Sequence, residues 1–96
     1  MSTEEILQRL RARQGEIARD YRARVVGIYG SYARGEQQDR SDLDMLVAFD
    51  RGATYLTLFA LEDFLQELLQ CKVDICTTNG LRKEIAPSVE RDLVAL

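Results

Sequence analysis

The sequence predicts an α/β (α+β) fold, a small sheet of about three strands with helices packed on it, in the order αβαβαβα. Three observations carry this. Short β-branched, apolar runs occur at Arg24–Tyr29, Asp42–Phe49 and Lys72–Thr77. Stretches with helical apolar spacing precede, separate and follow them. Ninety-six residues form one small domain, 1–96, without repeats or an internal linker.

Ser2–Tyr21 opens with a capping-box pattern, Ser2-x-x-Glu5, and Ile6, Leu10, Ile17 and Tyr21 fall near one helical face. Gly15 weakens this helix without breaking it. Arg24–Tyr29 is a buried strand ended by Gly30. Ser31–Arg34 is a short helical turn stopped by Gly35, and residues 36–41 form a polar loop. Asp42–Phe49 is the second strand. Thr54–Gln70 is the strongest helix, with Leu58, Leu61, Leu65 and Leu68 at near-helical spacing. Its start, Tyr55 to Leu61, is apolar nearly all round, which predicts burial on more than one side. Lys72–Thr77 is the third strand, Asn79-Gly80 a turn, and Leu81–Asp92 a helix interrupted or restarted at Pro87.

Composition excludes several classes. A net charge of −3 argues against a dedicated nucleic-acid binder. No basic start followed by an apolar block marks a signal peptide, and no apolar run approaches a membrane span, so a cytoplasmic chain is expected. Histidine is absent, which disfavours a zinc site. Cys71 and Cys76, five apart on an extended segment, would lie about 16 Å apart. A disulfide needs Cα atoms within about 7 Å, so both read as reduced thiols. The arginines of the N-terminal stretch (Arg9, Arg11, Arg13, Arg19, Arg22 and Arg24) read as a solvated helix face, with docking to an acidic partner as the sharper alternative.

The chemistry concentrates in residues 30–44, GSYARGEQQDRSDLD. Asp42 and Asp44, two apart on a strand, point to one face with Cα atoms about 7 Å apart, while Leu43, Met45 and Val47 point to the core. Such a carboxylate pair can share divalent ions about 3.5–4 Å apart. Hard oxygen ligands suit Mg²⁺, which keeps waters and substrate phosphate oxygens as its other ligands. Alone, Asp-x-Asp is a weak signal, since exposed strand-edge acids are common. Gly30-Ser31 follows a strand and opens a helical turn. Glycine permits close backbone approach to a phosphate, and the turn offers free N–H groups and the Ser31 hydroxyl. A plain strand-to-helix turn reads the same way. The joint pattern is stronger, because four residue types at fixed offsets agree by chance roughly 10⁻⁵ of the time per starting position. Asp74, between Val73 and Ile75, faces the same side as the pair if its strand neighbours theirs. There it would serve as a third ligand or as a base for an attacking hydroxyl. Arg34 lies beside the phosphate turn and Lys72 on the third strand, each able to neutralise triphosphate charge. Tyr32 can stack on a base or pack on the helix.

Gly30-Ser31 with Ser41-Asp42-x-Asp44, and a later strand aspartate at Asp74, resembles the DNA polymerase β-type nucleotidyltransferase superfamily. Tyr29-Gly30-Ser31-Tyr32-Ala33-Arg34-Gly35-Glu36 and the short length resemble its minimal nucleotidyltransferases, the MNT proteins. The resemblance implies a mixed sheet with helices on one side. It implies two Mg²⁺ ions on Asp42 and Asp44, completed by Asp74, and a triphosphate held by Gly30 and Ser31. MNT proteins are often paired as antitoxins with an HEPN-domain RNase toxin, in some cases transferring AMP from ATP to a toxin tyrosine. The expectation is therefore a Mg-dependent protein adenylyltransferase acting on an HEPN-type toxin in a hetero-oligomer. Two alternatives stay open: an antitoxin that acts by binding alone, and a small-molecule, antibiotic-type nucleotidyltransferase.

Overall fold

The computed structural model describes residues 1–79 and 86–96. Its elements are α1 (Thr3–Tyr21), β1 (Ala23–Tyr29), α2 (Ser31–Arg34), β2 (Leu43–Phe49), α3 (Tyr55–Leu69), β3 (Val73–Thr77), α4 (Ala86–Asp92) and β4 (Val94–Ala95). The sheet is mixed and four-stranded, in the order β3-β2-β1-β4, with β2 parallel to β3 and the other pairs antiparallel.

The helices form where their caps and spacing direct. Ser2 caps α1 by accepting the Glu5 N–H at 3.2 Å, and Ile6, Leu7, Leu10 and Ile17 are buried. Glu5 accepts from the Ser2 hydroxyl rather than from its backbone N–H, so only half of the capping box closes. Thr54 caps α3 through a reciprocal pair with Thr57, and Gln70 ends it in the left-handed region. The N-terminal arginines are exposed, as a solvated face requires. Among the described residues Pro87 stands second in α4. Of the expected turn at Asn79-Gly80 only Asn79 is described, in a turn, and the first part of the Leu81–Asp92 helix lies outside the described residues.

The main core lies between α1, α3 and one face of the sheet, built on Leu10, Ile17, Ile28, Leu43, Met45, Leu61 and Leu65. A second, smaller cluster covers the opposite face, where Val89 of α4 meets Tyr29 and Leu46. Helices on one side only is thus incomplete: α4 packs on the other. A bulge in β1 between Val25 and Gly27 arranges this. Val25 and Ile28 both join the main core, three residues apart, while Val26 and Tyr29 belong to the other face. The side-chain amide of Gln14 spans the irregularity, donating to Val25 O at 3.2 Å and accepting from Val25 N at 3.4 Å.

Two further expectations are corrected. The sheet has a fourth strand, because Val94–Ala95 pairs with Gly27 and Ile28. A Cβ at Gly27 would run into the Val94 carbonyl oxygen, so glycine is what admits β4 to this edge. The start of α3 is not buried on several sides within this chain: Tyr55, Leu56 and Phe59 are 80%, 79% and 55% exposed.

Candidate active site

The fold carries Asp44 and Asp74 to one place. They are register partners on adjacent parallel strands, Asp44 on β2 and Asp74 on β3, and Tyr29 of β1 is the partner of Asp44 on its other side. Leu43, Met45 and Val47 are fully buried in the main core, so Asp44 projects from the opposite face, as strand alternation requires. Gly30 ends β1 with φ +76, and a Cβ there would run into Asp44 Oδ2. Glycine at this point serves both the backbone conformation and the approach of a carboxylate. The turn closes when Gly30 O accepts Arg34 N at 3.2 Å and Ser31 O accepts Glu36 N at 2.9 Å.

Gly30, Ser31, Arg34, Asp44 and Asp74 line one cleft of about 520 Å³. Asp42 stands one residue before β2, is exposed, and lines a neighbouring hollow with Ser41, Cys71 and Lys72. The predicted pair therefore straddles the boundary between two depressions, although the two charges still feel each other. Asp44 is pushed up to about 6, by burial first and then by Asp74 and Asp42, with Arg34 opposing. Tyr29, buried beneath the cleft, has its hydroxyl pushed up by burial and by Cys76, Asp44 and Asp74. Tyr32 is 8% exposed and belongs to the main core, so its ring packs rather than offering an open stacking face. Lys72 is exposed on the Asp42 side. Cys71 and Cys76 are both free thiols.

Sequence reasoning missed the α4 wall of the cleft: Ser88, Arg91 and Asp92. Asp92 pairs with Arg34 at 2.5 Å and with Arg91 at 3.1 Å, and its side chain is only 4% exposed. Both guanidinium groups hold its carboxyl below the usual range, Arg91 more strongly. The only signal in the sequence was an Arg-Asp pair at the end of a helix, which is common on any protein surface.

Among the described residues no group of three or more acids or cysteines is arranged to hold a metal ion by itself. Mg²⁺ does not require such a cage, since it is commonly bound by one or two carboxylates together with substrate phosphates and water. Asp44 is a hard oxygen donor whose pKa is raised by burial first and then by two neighbouring carboxylates, and that crowding of negative charge is relieved by a cation. The residues present fit that ion.

Gly30-Ser31 and the paired carboxylates of two parallel strands thus share one cleft. The chain matches the nucleotidyltransferase domain family over residues 4–96. It is 43% identical over 77 residues to MJ1215 of Methanocaldococcus jannaschii, assigned as a protein adenylyltransferase, covering 80% of this chain and 90% of the relative. It is 36% identical over 94 residues to the protein adenylyltransferase MntA of Thermococcus cleftensis, covering 98% and 95%. A solved structure assigned as a minimal nucleotidyltransferase superposes with TM-score 0.82 at 38% identity, covering 100% of this chain and 97% of that one. A chain from a toxin–antitoxin crystal structure with AMP-PNP shares the fold, with TM-score 0.69 at 19% identity over 99% of this chain and 72% of that one. The chain therefore belongs to the nucleotidyltransferase domain family, as a minimal member of the DNA polymerase β-type superfamily, and is an enzyme of nucleotidyl transfer.

Proposed function

We propose that this chain is a Mg²⁺-dependent protein adenylyltransferase that moves AMP from ATP to a tyrosine hydroxyl of an HEPN-type RNase toxin and so acts as its antitoxin. The observation that carries the reading is the register pairing of Asp44 with Asp74 beside Gly30-Ser31 in one cleft. The protein adenylyltransferase assignments of relatives at 36–43% identity support the substrate class. One domain over residues 1–96 would carry the reaction, in the cytoplasm, where two free thiols stay reduced. Among the described residues no helix is long and apolar enough to cross a membrane.

In this reaction the acceptor oxygen attacks the α-phosphorus, a new P–O bond forms, and the bond to departing pyrophosphate breaks. Gly30 and Ser31 would bind the triphosphate, with Arg34 offering charge at its edge. Asp42, Asp44 and Asp74 would hold two Mg²⁺ ions. When bound, these supply charge neutralisation on the phosphates and a lower pKa for the acceptor hydroxyl. The rest of the barrier is lowered by positioning. Tyr29 and α4 would bound one side of the cleft.

The test is intact-mass analysis of the neighbouring gene's product after incubation with this chain, Mg²⁺ and each NTP in turn. Addition of AMP from ATP supports the reading. A partner that binds tightly but never gains mass would point to neutralisation by binding alone, which the exposed apolar start of α3, lying outside the cleft lining, would permit.

A further inference from the structure

Among the described residues, the cleft is lined by three carboxylates (Asp44, Asp74 and Asp92) and two guanidinium groups (Arg34 and Arg91). For a site that must receive a polyanion, the third carboxylate is a liability unless it does something else. Asp44 and Asp74 have the metal role proposed above. Asp92 lies on α4 and is turned inward, 4% exposed, with Oδ2 accepting from Arg34 Nη1 at 2.5 Å and Oδ1 accepting from Arg91 Nε at 3.1 Å. Burying a carboxylate is costly unless it is paired, and here the pairing joins segments 58 residues apart.

We infer that Asp92 is a positioning residue, which fixes the Arg34 guanidinium at the mouth of the cleft so that Arg34 meets the triphosphate. The inference rests on the nucleotidyl-transfer reading of the cleft. Arg34 stands at the end of a single helical turn, on a long side chain whose free rotamers would have to be frozen on each binding event. Asp92 takes Nη1, and Glu36 takes Nε at 3.0 Å. Among the described residues Nη2 has no partner, and it is the donor left for a phosphate oxygen. Holding the fork in advance reduces the ordering cost of binding. The same contact draws α4 against the phosphate turn, so the cleft wall and its anion contact form together.

The experiment measures the affinity of the full chain for ATP with Mg²⁺ by calorimetry, alongside thermal melts. Arg34→Gln removes one charge-assisted contact and is expected to weaken binding about tenfold. Asp92→Asn is expected to weaken it to a similar degree, and the double variant no further, because both act through one guanidinium. Asp92→Glu is expected to recover part of the loss. Should Asp92→Asn fail to fold, Arg34→Lys serves instead, since it keeps the charge on an exposed stem but loses the planar fork, and it is expected to weaken binding severalfold. An Asp92→Asn chain that melts earlier yet binds ATP as the parent does would show a mere staple and overturn the inference, as would parental binding by Arg34→Gln or Arg34→Lys. If the parent itself fails to bind ATP with Mg²⁺, the reading of the cleft falls, and this inference with it.

Discussion

Asp44 brings the structure and the chemistry into opposition at the level of one residue. Its pKa of about 6 lies above the ordinary carboxylate value near 4. A raised folded-state value means that the fold holds this proton more tightly than the unfolded chain does. The resulting stability is present below about pH 4 and is lost as pH rises through about 6. Above that, the ionised group sits desolvated against Asp74 and Asp42, at a cost that solvent at this partly open cleft trims to roughly 1–2 kcal/mol. Asp44→Asn is therefore expected to raise the melting temperature of the free protein by several degrees at pH 7.5 and to leave it unchanged at pH 4. The same substitution, and Asp42→Asn, should reduce AMP transfer at least ~10²-fold, a loss typical of deleting one preorganised charge-stabilising group. Melting curves across pH check the first expectation and single-turnover assays the second. Near-normal transfer by either variant would remove the metal assignment. At Gly30, Ala already meets Asp44 Oδ2 and a left-handed φ, so Gly30→Ala should both destabilise the fold and weaken ATP binding. Binding at parental affinity would leave this turn a structural one. That Gly30, Ser31, Asp44 and Asp74 come together was legible in the sequence because their offsets are set within two short segments, whereas Asp42 falls in the neighbouring hollow. Asp92 was not legible, because its meaning arises only when α4 crosses to Arg34.

Among the elements, β1 shows where reading by period stops. Strict alternation would put Val25, Gly27 and Tyr29 on one face, whereas the bulge sends Ile28 to the main core and Tyr29 under the cleft. Nothing in a run such as Val-Val-Gly-Ile-Tyr marks which residue is extra, although an interior Gly is a weak sign of a bulge or of close backbone approach. Here Gly27 supplies the close approach, to β4. The two residues of β4 are too few to show any period. In the fold Leu93 joins the cluster around Val89, Val94 and Leu96 pack on the main core, and Leu96 N donates to Val26 O at 3.1 Å. Gly27→Val is expected to displace β4 and to cost about 1–3 kcal/mol by overpacking. Because α4 leads directly into β4, ATP affinity should fall in the same variant. Hydrogen exchange at Leu96 N–H, with denaturant titration beside it, reads both. Protection at Leu96 equal to the parent's would show that the edge accommodates a side chain after all.

For the whole molecule, the question is what covers the start of α3. A chain of this size buries only about two-thirds of its unfolded surface. This one leaves Tyr55, Leu56 and Phe59 exposed together, while Leu61, Leu65 and Leu69 on the same helix are buried. The sequence showed a helix start that is apolar nearly all round, but not whether this chain itself would cover it. The fold leaves it uncovered. Adjacent exposed aromatic and aliphatic side chains commonly mark an interaction surface, and large aromatics at such surfaces carry much of the binding energy. On the proposed reading the toxin partner covers them. Leu56→Asp and Phe59→Asp change residues that contribute little to the free fold, so each should alter its stability by no more than about 0.5 kcal/mol. Each should nevertheless weaken the complex at least tenfold, because a carboxylate would be desolvated in the interface without a partner. Circular dichroism melts verify the first half, and calorimetric titration against the co-purified partner verifies the second. The Asp42/Asp44 double asparagine variant then separates the two roles of the molecule. It retains the α3 surface and should bind the partner normally, yet it should fail to protect cells from the toxin. Protection by that variant, with no nucleotide found on the partner, would mean that this enzyme neutralises its partner by contact through α3 and that its transfer chemistry serves another acceptor.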